Sequence, residues 1–74
     1  MDLNVGDQVS IKTPLPYLKT SDPMPMLRPS ELVSQNELGK IVGIRSKGVL
    51  EVRFRQGTFL IASDRLKLDE SNEN

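Results

Sequence analysis

The chain is 74 residues long, carries ten basic and ten acidic side chains for a net charge of zero, and contains neither cysteine nor histidine. Disulfides, thiolate chemistry, cysteine-based zinc and iron–sulfur centres are thereby excluded, and so are the commonest general base and transition-metal ligand. With 36% hydrophobic and 27% charged residues, the chain suits one small globular domain with a thin core.

Val5-Gly6-Asp7-Gln8-Val9-Ser10-Ile11-Lys12 opens on a Gly-Asp turn and then alternates Val9 and Ile11 with Ser10 and Lys12, as a half-buried strand does. Pro14 stops it, because proline cannot donate to a ladder. All five prolines (14, 16, 23, 25 and 29) fall in the stretch that follows. Residues 13–38 are therefore expected to form a long first loop, anchored to the core by Tyr17 and Leu18. Ser30-Glu31-Leu32-Val33 is expected to make one helical turn capped by Ser30.

Gly39 to Arg45 reads as a second strand, and Ser46-Lys47-Gly48 as a tight turn with a positive φ at Gly48. Val49 to Arg55 is the clearest strand, with Leu50, Val52 and Phe54 inward and Glu51, Arg53 and Arg55 outward. Gln56-Gly57 is expected to turn the chain into a fourth strand, Thr58 to Ala62. Ser63-Asp64-Arg65 suits a 3₁₀ turn with Asp64 as its cap, and Leu66 to Leu68 a closing strand. The expected fold is all-β: a small five-stranded SH3-like barrel over residues 1–68, with a long proline-rich first loop and a 3₁₀ turn before the last strand. The expected core is Val5, Val9, Ile11, Ile41, Ile44, Leu50, Val52, Phe54, Leu60, Ala62, Leu66 and Leu68. The acidic tail, 69–74, is expected to be disordered. No apolar run approaches the about 18 residues that span a membrane, and Met1-Asp2-Leu3-Asn4 lacks a basic-then-apolar leader. A monomeric cytoplasmic protein without membrane insertion is expected.

Catalysis finds no foothold. The carboxylates are scattered, the glycines form no phosphate-binding run, and no histidine stands ready to activate a serine or threonine. Asp7 reads as a turn residue. No cofactor or metal is implied. Residues 40–55 hold five bases against Glu51, a surplus that could meet a phosphate backbone. Only Tyr17 and Phe59 could stack on bases, however, and the zero net charge argues against nucleic acid.

The stretch Asp22-Pro23-Met24-Pro25-Met26-Leu27-Arg28-Pro29 is the strongest candidate contact. Its prolines stiffen the backbone, and unbranched methionine adapts to irregular apolar partners. In a polyproline II helix of about three residues per turn, Pro23, Met26 and Pro29 would share one edge. Met26 and Leu27 have a second possible role, folding back over the open end of the barrel. Together with Tyr17-x-Lys19-Thr20 and Val52-Arg53-Phe54-x-x-Gly57-x-Phe59-Leu60, this run resembles the SipA family, SH3-like regulators of oxygenic photosynthetic bacteria. That resemblance implies a non-catalytic adaptor that binds the ATP-binding region of the sensor histidine kinase NblS and promotes its autophosphorylation. It would tune signalling in high light and nutrient stress. The implied protein-binding residues are Asp22, Pro23, Met24, Pro25, Met26, Leu27, Arg28 and Pro29, with Phe59; Arg53 and Arg55, from the local basic surplus, are an alternative contact.

A second resemblance is to SH3-like docking subunits of photosynthetic electron transfer, the ferredoxin–thioredoxin reductase variable subunit and a peripheral photosystem I subunit. It rests on the Gly6-Asp7-x-Val9 opening and the strand ending Val52-Arg53-Phe54. Those subunits lack the Pro-Met run. An RNA-binding barrel is the third reading.

Overall fold

The computed structural model describes residues 3–46 and 48–69. These form one antiparallel sheet that curls into a half-barrel around its core. Its strands are β1 (Gln8–Ile11), β2 (Leu18–Thr20), β3 (Leu27–Arg28), β4 (Gly39–Ser46), β5 (Val49–Phe54), β6 (Gly57–Ala62) and β7 (Leu66–Leu68). Two 3₁₀ turns, Ser30–Leu32 and Ser63–Arg65, complete the described chain. The strand order across the sheet is β3-β2-β6-β5-β4-β1-β7.

The fold is thus all-β, as expected, with seven strands where five were read. The five expected strands are β1, β4, β5, β6 and β7. The two extra ones lie in the proline-rich stretch, where residues 13–38 were expected to be a loop. Prolines do keep that stretch from joining the sheet's centre. They leave room for a short hairpin, however, because Leu18-Lys19-Thr20 is proline-free and pairs with the open side of β6, Lys19 opposite Leu60 and Thr20 opposite Phe59. β3 then returns along β2, Leu18 opposite Arg28 and Lys19 opposite Leu27.

Val9, Ile11, Leu18, Val33, Ile41, Leu50, Val52, Phe54, Phe59, Ile61 and Leu66 form the core. The expected inward face of β6 is the wrong one. Gly57 pairs with Phe54 and Phe59 with Val52, so Phe59 and Ile61 point inward, while Leu60 is half-buried and Ala62 exposed. A shift of one residue exchanges the two faces of any strand. Val5 and Ile44 are also exposed rather than buried. Val5 sits in the turn before β1, and Ile44 follows a break in the β4–β5 register between Ile41 and Gly43. Leu18 anchors the first loop as expected, but Tyr17 beside it is exposed. Val33 pins the far end of that loop.

Several turns behave as read. Gly48 has φ +70°. Asp7 holds the first turn, its carboxylate accepting a 2.8 Å hydrogen bond from the Asn4 N–H. The 3₁₀ turn at Ser63–Arg65 is present, although Ala62 and not Asp64 occupies the cap position. Pro29 likewise takes the cap position before Ser30, and no side chain bonds the turn's free N–H groups. The turn between β5 and β6 is Arg55-Gln56, one residue earlier than expected, so Arg55 lies in the turn and not on the strand. Gly39 is buried where a Cβ would lie only 2.7 Å from the Phe54 ring and 2.8 Å from Val52, so the core closes onto bare backbone there. Of the expected tail, Asp69 donates its N–H to the Gln8 carbonyl at 2.8 Å, and residues 70–74 lie outside the described part.

Candidate functional site

The β2–β3 hairpin displays the Pro-Met run. Thr20 holds its neck twice: its N–H donates to the Met26 carbonyl at 2.9 Å, and its hydroxyl accepts the Met26 N–H at 2.9 Å. Ser21 donates to the Thr58 carbonyl at 3.1 Å, which ties the hairpin to β6. Residues 22–25 then project as the tip. Every residue from Asp22 to Pro29 is exposed. Met24 is 82% exposed, Leu27 64% and Met26 55%, so neither Met26 nor Leu27 folds back over the core.

The run is not a continuous polyproline II rod. It bends at Asp22-Pro23-Met24 and then runs as a strand, where side chains alternate between faces with period two. Met26 and Arg28 share the inner face with Thr20 and Leu18. Leu27 lies on the outer face beside Lys19.

Asp22, Met26 and Arg28 border a cleft of about 220 Å³ between the hairpin and the β5–β6 turn, with Thr20, Leu32, Gln56 and Thr58 as further wall and Phe59 as floor. The structure therefore gathers four of the expected contact residues at one place. Phe59 takes part only as support: it is 2% exposed and packs against Phe54 with ring centroids 6.4 Å apart. It is a core residue, not a contact. Arg53 is exposed on the outer face of β5, opposite both Lys40 and Thr58, and Arg55 is exposed in the adjacent turn. Neither lines the cleft. Sequence reasoning missed Thr20 and Gln56, whose roles depend on the hairpin. Thr20 stood in the Tyr17-x-Lys19-Thr20 motif, two residues before Asp22, with no role attached to it.

The open edge of β3 has a peculiarity. Since Met26 turns its backbone groups towards Thr20, ladder alternation points those of residues 25, 27 and 29 outward. Two of those three are proline. Leu27 is left as the sole outward N–H donor between them.

The family model for protein CHLORORESPIRATORY REDUCTION 42-like matches residues 5–66, from the first turn to the start of β7. The chain belongs to the CRR42-like family. No curated protein and no solved structure matches it. The resemblance to SipA is thereby corrected. It rested chiefly on one eight-residue run, and that run lies inside the CRR42-like match over residues 5–66. The sensor kinase as partner depended on that resemblance and falls with it. Among the described residues no group of three or more aspartates and glutamates could hold a metal ion, and no helix is long and apolar enough to cross a membrane.

Proposed function

We propose that this CRR42-like chain is a non-catalytic protein-docking module on an SH3-like frame, with the β2–β3 hairpin as its contact. The observation that carries this reading is the exposure of Met24, Met26 and Leu27 on a hairpin that is itself firmly tethered. A small chain with a thin core gains by burying such side chains, and here they face water while the hairpin neck is hydrogen-bonded at three points. A tethered loop also loses less conformational entropy on binding. The lack of histidine and cysteine supports a binding role over a catalytic one.

Among docking roles, service to an electron-transfer assembly fits best. The family description speaks of chlororespiratory reduction, and the Gly6-Asp7-x-Val9 opening resembles that of docking subunits of electron transfer. The test places a photoreactive residue at position 24 of the intact chain in its native cells. A discrete protein adduct is expected from position 24 and not from the exposed Asn36. Identical adduct patterns at the two positions would refute the hairpin as the contact.

A further inference from the structure

We propose that the outer face of the sheet is a second docking surface, and that it takes an acidic partner segment carrying an apolar anchor. The inference rests on the docking-module reading and extends it to a surface away from the cleft. On that face the register aligns Leu27, Lys19, Leu60 and Glu51 in one row. The flanking row on one side is Ala62 and Val49, and on the other Thr58, Arg53 and Lys40.

Two properties of this face point to the occupant. First, Leu15, Pro16 and Tyr17 stand against Leu60, Ala62 and Val49 to form a groove of about 320 Å³. Tyr17 is half exposed there. The groove can seat an apolar side chain, and the tyrosine offers a flat wall with a polar tip. Second, charge is segregated. The whole chain is neutral, yet among the described residues this face carries Lys19, Lys40, Arg45 and Arg53 against the single carboxylate of Glu51. That carboxylate is already paired with Arg45. Lys19, Lys40 and Arg53 make no ion pair among the described residues. The groove's own charged lining is Lys19 and Arg65, both cations. Cations placed around an apolar slot favour carboxylates flanking an apolar anchor and disfavour a basic partner.

The β3 edge, short of outward donors, does not favour strand addition, so the partner is held by side chains. Panning the full-length chain against a phage-displayed random peptide library tests this directly. Enriched sequences should be rich in aspartate and glutamate around an aromatic or branched aliphatic residue. A synthetic peptide of that sequence should shift the amide resonances of Lys19, Leu60 and Ala62. Its affinity should fall about tenfold or more in Lys19→Glu and in Tyr17→Ser, both at exposed positions, and stay unchanged in Met24→Ala. Enrichment of basic or uncharged sequences, or no enrichment, would overturn the inference. So would tighter binding of octauridylate than of the peptide at this face. Shifts confined to Asp22–Arg28 would overturn it too, while leaving the hairpin reading intact.

Discussion

Phe59→Ala is expected to leave the protein largely unfolded at room temperature. Truncating a buried phenylalanine costs about 3–5 kcal/mol, through lost transfer energy and the cavity left behind. The whole margin of a domain is only about 5–15 kcal/mol, and a thin core places this one at the low end. Phe59 is nearly inaccessible, opposes Val52 on β5 and touches the ring of Phe54, so little can collapse into its space. Had it been the exposed contact that its sequence neighbourhood suggested, the same substitution would spare the fold. Urea titration followed by circular dichroism separates the two cases. A variant whose unfolding midpoint matches the wild type would place the ring on the surface and invert the facing of β6.

Opening the β3 edge should have the next largest effect, on assembly and not on stability. In Pro25→Ala with Pro29→Ala, outward N–H donors return on both sides of Leu27, and three alternate donors then line an exposed edge. Unprotected edges pair with other chains, and proline is one of the ways in which proteins prevent it. Both positions are exposed, so the fold should survive the change. Sedimentation velocity should show a wild type of constant mass and a double variant whose average mass rises with concentration. Equal behaviour of the two would mean that the prolines serve only to stiffen the tip. The prolines thus have two physical consequences in one stretch. They rigidify the part that presents Met24, and they blunt the edge beside it.

Much of the fold was legible because most strands announce themselves locally. Leu50-Glu51-Val52-Arg53-Phe54 alternates cleanly, and Gly48 marks its turn with the positive φ that glycine tolerates. β6 was harder for a physical reason. Thr58-Phe59-Leu60-Ile61-Ala62 is apolar at four consecutive positions, so alternation says nothing about which side faces the core. Only the pairing across the Arg55-Gln56 turn decides it. β2 and β3 were invisible for a related reason. Two- and three-residue strands have no period to detect; β2 is fixed by pairing with β6, distant in the chain, and β3 by pairing with β2.

The run Asp22 to Pro29 was legible as an oddity of composition, and each of its residues is exposed in the structure, whereas Phe59 is buried. The grouping of Asp22, Met26 and Arg28 around a cleft with Thr20 and Gln56 could come only from the folded hairpin. The short run Asp22 to Pro29 also misled as a family signature, since eight residues carried more weight than the match over residues 5–66 sustains.

The central claim is that the hairpin binds another protein through Met24 and Arg28, exposed side chains that lie outside the core. It is tested most directly by titrating the partner cross-linked from position 24 against the wild type and against Met24→Ala with Arg28→Ala. The account predicts an affinity loss of about tenfold or more, with an unchanged circular dichroism spectrum and melting temperature. Equal affinity of the two proteins for that partner would contradict it.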